Sequence, residues 1–70
     1  MQLGTRWAAG TVPPRSVPEE LRTAIREVEA DPAATGSWTL TWLEGRPIVE
    51  LDAGWELSLG PDGSVSVERF

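Results

Sequence analysis

Seventy residues without a single Cys or His bound this chain to one small domain, 1–70, held by neither a disulfide nor a zinc site. Its net charge of −5 argues against binding nucleic acid or an anionic membrane surface, both of which need a surplus of Arg or Lys on one face. No apolar run approaches the roughly 20 residues of a spanning helix, and Met1 to Gly10 lacks the charged start and apolar middle of a signal peptide, so a cytoplasmic chain is expected.

The first twelve residues are ambiguous. Leu3, Thr5, Trp7 and Ala9 fall on one face of an extended segment, which allows a short N-terminal strand, while Gly4, Gly10 and the small Ala8 and Ala9 weaken it. Pro13-Pro14 ends any such strand, because proline has no donor for a ladder. A helix is then predicted over Ser16 to Ala30. Ser16 and Glu19 have capping-box spacing, and Pro18 falls in the first turn. Val17, Leu21, Ala24, Ile25 and Val28 form one stripe at the 3.6-residue period, leaving Glu19, Glu20, Arg22, Arg26, Glu27 and Glu29 to solvent. Asp31-Pro32 stops the helix, and Ala33 to Gly36 is a loop.

From Ser37 to Phe70 apolar and polar residues alternate, with turn residues at three places, which predicts a four-stranded antiparallel meander. Ser37 to Leu43 turns Trp38, Leu40 and Trp42 inward and Thr39 and Thr41 outward. After a turn at Glu44-Gly45-Arg46, Pro47 to Asp52 offers Val49 and Leu51 inward and Ile48, Glu50 and Asp52 outward. Ala53-Gly54 turns into Trp55 to Leu59, where Trp55, Leu57 and Leu59 face in and Glu56 and Ser58 face out. Gly60-Pro61-Asp62-Gly63 has the composition of a tight turn. Ser64 to Phe70 then buries Val65 and Val67 and exposes Ser66 and Glu68. One apolar helix stripe and one apolar sheet face must cover each other, so the predicted fold is a two-layer α+β domain, one helix on a four-stranded antiparallel meander with the possible extra N-terminal strand.

Chemistry is constrained by what is missing. With no His and no Lys, the many Ser and Thr hydroxyls have no base to activate them, and neither a nucleophile elbow nor a glycine-rich phosphate loop is present. The exclusive use of Arg for all six basic side chains reads as codon bias in a GC-rich genome. Glu50, Asp52 and Glu56 converge on the outer face and have the chemistry of a divalent-cation site, but an open sheet face that excludes no water favours a solvated surface. No cofactor is expected. Among the Trp residues, Trp38, Trp42 and Trp55 share the parity of the aliphatic face and are expected in the core. Trp7 either caps the open end of that core or stands exposed as an interface anchor, with the cap favoured because an N-terminal arm needs tying down.

The run Trp42-Leu43-Glu44-Gly45-Arg46-Pro47-Ile48-Val49-Glu50-Leu51, after a helix and before a turn containing Asp62-Gly63, resembles PepSY modules. Those modules also place a helix before a short antiparallel sheet with an acidic-Gly-basic-Pro hairpin. The likeness covers about half the chain, and Leu59 or Gly60 stands where PepSY sequences usually carry an Asp. The secretion context is missing too, so membership of the family is not inferred.

By elimination the sequence points to a non-catalytic protein-interaction module, with Trp7, Leu43 and Phe70 as its candidate interaction surface. Two free sheet edges and a thin core favour a homodimer or a strand supplied by another protein. The alternative is a neutralising partner, an immunity protein or antitoxin, whose acidic face blocks a basic enzyme; a carboxylate metal binder ranks third.

Overall fold

A computed structural model describes residues 5–70 of the chain. The elements in order are β1 (Thr5–Ala8), α1 (Glu19–Glu29), β2 (Ser37–Leu43), β3 (Arg46–Leu51), β4 (Trp55–Leu59) and β5 (Val65–Arg69). The five strands form one antiparallel sheet in sequence order, and α1 packs on one of its faces. The two-layer α+β architecture follows the alternation, and the N-terminal segment does add a fifth strand, with Trp7 opposite Trp38 and Thr5 opposite Leu40. Leu3, which the same alternation places beside Thr5 and Trp7, lies outside the described residues.

The helix begins at Glu19 and not at Ser16, and no side chain caps it, so Ser16 and Glu19 form no capping box. The reason is Pro18. Its ring disfavours helical dihedrals at the residue before it, which keeps Val17 out of the helix. Pro18 itself sits extended at φ −58° and ψ 149° as the N-cap, and its carbonyl accepts the Arg22 amide at 3.0 Å. Val17 still reaches the core from the preceding turn, which its own amide closes on the Pro14 carbonyl at 3.1 Å. Leu21, Ala24, Ile25 and Val28 are buried as the stripe predicts. Past the end of α1, the Asp31 carboxylate accepts the Ala33 amide at 2.9 Å and starts the loop.

Read across the strands, the register lines up Trp7, Trp38, Leu51, Trp55 and Arg69 on the helix side, with Thr5, Leu40, Val49, Leu57 and Val67 in the next row. Trp38 is fully buried in the first row, between Trp7 and Leu51. Its ring removes enough surface from water for about 4–6 kcal/mol of transfer free energy, taken as an upper bound. Leu59 and Val65 on this face are only partly buried, and two further residues fall well short of the expected burial. Trp42 is 40% exposed and Val67 51% exposed. Trp42 lies at the hairpin end of β2 and Val67 on an edge strand, and one helix of eleven residues is too short to roof either border.

Turn chemistry sets the register. The β2–β3 hairpin turns on Glu44 and Gly45, both at positive φ (52° and 78°), while Arg46 joins the strand instead of the turn. Two central residues at positive φ match the twist of the flanking strands. Glu44 is the one non-glycine in that region among the described residues. Between β3 and β4, Gly54 donates to the Leu51 carbonyl at 2.9 Å with φ 114°. Before β5, the Gly63 amide closes on the Gly60 carbonyl at 3.0 Å, and the Asp62 carboxylate accepts both the amide and the hydroxyl of Ser64. The Ser64 hydroxyl, more than its amide, holds the Asp62 carboxyl below its ordinary value near 3.8.

Candidate interaction surfaces

Edge strand β5 presents a defined set of unpaired backbone groups. The Phe70 amide donates to the Gly54 carbonyl at 2.8 Å, and the Gly60 amide donates to the Ser64 carbonyl at 2.7 Å. Bonded residues alternate along an antiparallel strand, so Ser66 and Glu68 also turn their backbone groups toward β4. Val65, Val67 and Arg69 therefore direct N–H and C=O outward. Their side chains lie on the helix side, where the Arg69 guanidinium stacks 4.1 Å from the Trp55 ring centroid and shields it. β5 carries no Pro, no Lys and no bulge, so the charges of Glu68 and Arg69 are what it has to protect it as an edge.

The sheet face opposite the helix is the second surface. There the register lines up Arg6, Thr39, Glu50, Glu56 and Glu68. Glu50 faces Glu56 directly, and Glu56 faces Glu68. Like charges at such positions lie about 4.5–5.5 Å apart at Cβ and destabilise the sheet. Asp52 does not complete the trio with Glu50 and Glu56. It stands in the turn after β3, where its carboxylate accepts the Arg6 guanidinium at 3.2 Å and the Ser37 amide at 3.0 Å. Both partners of that ion pair are more than half exposed, so its contribution is below about 1 kcal/mol. Among the described residues, no three His, Cys, Asp or Glu side chains are grouped to hold a metal ion.

Trp7, Leu43 and Phe70 do not form one patch. Trp7 packs against the core, as a cap would. Leu43 is 55% exposed beside the β2–β3 turn, and Phe70 is 75% exposed at the far end of the sheet, where it joins Arg6, Thr39, Glu50 and Asp52 around a shallow depression of the open face. Sequence reasoning missed Glu29, assigned to solvent. Its carboxylate Oε2 accepts the Trp38 indole Nε1 at 2.8 Å and the Gly10 amide at 3.0 Å, tying the N-terminal arm to helix and sheet.

Comparison with protein-family models, curated proteins and solved structures gives no match for this chain. No helix among the described residues is long and apolar enough to cross a membrane.

Proposed function

We propose that this chain is a small, non-catalytic, cytoplasmic protein-interaction module that binds by strand addition at β5, with a second copy of itself as the occupant. The observation that supports this most is the outward set of backbone groups at Val65, Val67 and Arg69 on an edge where only Glu68 and Arg69 discourage pairing. A two-fold axis at Val67 pairs that residue with Val67 of the partner subunit and Val65 with Arg69 of the partner subunit. About six main-chain hydrogen bonds result from three bonded pairs. The same register sets Glu68 opposite Ser66 of the partner subunit, which keeps the carboxylates apart, and it places two half-exposed valines in contact. The non-catalytic reading rests on the lack of His, Lys and Cys.

Val67→Pro tests this directly. Proline at 67 removes an outward N–H that β4 does not use, and an edge strand tolerates it. Sedimentation at tens of micromolar protein should give a dimer for the native chain and a monomer for Val67→Pro, with unchanged far-UV circular dichroism. A native monomer at that concentration, or a dimer indifferent to the substitution, would overturn the proposal.

The row Glu50, Glu56 and Glu68 favours a second reading, a neutralising partner of a basic enzyme. Binding steered by that face weakens steeply with ionic strength, whereas main-chain strand pairing does not.

A further inference from the structure

Between the N-terminal arm and α1 lies a cavity of about 280 Å³, lined by Gly10, Val12, Pro13, Arg22, Ile25 and Arg26 among others. Arg22 and Arg26 are one helical turn apart, and so neighbours on the helix surface. The Arg22 guanidinium donates from Nη2 to the Pro14 carbonyl at 3.2 Å, while its Nε is buried with no partner. Arg26 forms no ion pair among the described residues. Ile25, 1% exposed, is an apolar floor, and Val12, 88% exposed, is a large apolar side chain left in water at the lip. Glu29 also lines the cavity, with its Oε2 already held by the Trp38 indole and the Gly10 amide.

We infer that this cavity is a binding site for a small amphipathic monocarboxylate, its carboxylate held by the Arg22 and Arg26 guanidiniums and its body by Val12, Pro13 and Ile25. Guanidinium donors match the planar carboxylate and bind it by charge-assisted hydrogen bonds. An apolar body covers Val12, which the protein alone leaves wet. Glu29 is a fixed negative charge in the same wall, so it repels a phosphate dianion more than a carboxylate. The volume falls just under the roughly 300–1,000 Å³ of drug-sized pockets, which limits the ligand to a single ring or a short chain. This site lies on the helix side and is independent of the β5 edge.

Nitrogen–proton NMR titration of the whole chain with sodium benzoate tests it, with benzyl alcohol, acetate and inorganic phosphate as comparison probes. Benzoate should give saturable shifts at the Gly10, Thr11 and Val12 amides and at the Trp38 indole, with millimolar or tighter affinity. Acetate and benzyl alcohol, each lacking one half of the recognition, should bind at least about tenfold more weakly, and phosphate should not saturate. Arg26→Gln changes an exposed side chain, so the fold is retained, and should weaken benzoate about tenfold, roughly the loss of one charge-assisted hydrogen bond. Absence of saturation by benzoate, equal binding of benzyl alcohol or phosphate, or benzoate binding unchanged in Arg26→Gln would each overturn the assignment.

Discussion

The Glu29 carboxylate accepts from an indole and a backbone amide, and both donors lose their partner together in Glu29→Ala. The two consequences differ in size. Gly10 stands near solvent and its amide can turn to water, whereas the Trp38 ring is fully buried and its Nε1 cannot. Orphaning a buried donor costs about 1–3 kcal/mol, so Glu29→Ala should lower stability by about 2 kcal/mol in urea melts. Glu29→Gln, which keeps an acceptor oxygen, should lose about half as much, and Glu27→Ala on the exposed face should lose almost nothing. Equal losses in Glu29→Ala and Glu27→Ala would mean that the indole hydrogen bond contributes nothing.

At the scale of the element, Gly54 fixes how the β3–β4 turn receives the end of β5. A Cβ added there would stand 2.6 Å from the Phe70 carbonyl oxygen, at a φ of 114° that side chains rarely adopt. Gly54→Ala should therefore cost roughly 2–4 kcal/mol, the backbone penalty plus displacement of Phe70. Gly63→Ala, also at positive φ but with nothing near its Cβ, should cost only about 1 kcal/mol. Thermal melts that rank the two variants in the opposite order would contradict this account. The strands were legible in the sequence, and the start of α1 was not. The parity of Trp38, Leu40, Val49, Leu51, Trp55 and Leu57 could be read because each strand reports its own period and each turn its own composition. The start of α1 could not be read from the Ser16–Glu19 spacing, since the restriction Pro18 places on Val17 overrides the cap. Val67 keeps the expected face yet stays half exposed, because its burial depends on how far α1 reaches and not on the pattern of β5. The Glu29 latch joins residues 19 positions apart, Gly10 and Glu29, and depends on where the arm returns after Pro13-Pro14. The outward phase of the β5 edge follows from two hydrogen bonds at its ends, which no local pattern encodes.

Over the whole molecule, the charge of −5 is not spread evenly, since three of the eleven carboxylates form one ladder across β3, β4 and β5. Glu56 is the central member and takes part in both like-charge contacts. Each directly opposed pair is unfavourable by about 0.2–1 kcal/mol, and among the described residues no Arg lies within ion-pair distance of these carboxylates, Arg6 at the end of the row being engaged by Thr39 and Asp52. Glu56→Arg turns both contacts attractive and should stabilise the domain by about 1 kcal/mol at low ionic strength. Screening shortens the reach of exposed charges to about 3 Å in 1 M salt, against about 30 Å at 0.01 M, so most of that gain should vanish in concentrated NaCl. Glu19→Arg, which changes net charge identically but sits in the first turn of α1, should lower stability slightly, because it opposes the helix dipole. Urea melts of both variants at low and high salt separate a local ladder from general self-repulsion. If Glu19→Arg stabilised as much as Glu56→Arg, the net charge of the molecule would be the governing quantity and the ladder would have no role of its own. If Glu56→Arg alone stabilises, the fold sustains a repulsive row on the sheet face opposite the helix, and a basic protein of the kind proposed as the second reading would gain there the interaction energy that the isolated domain forgoes.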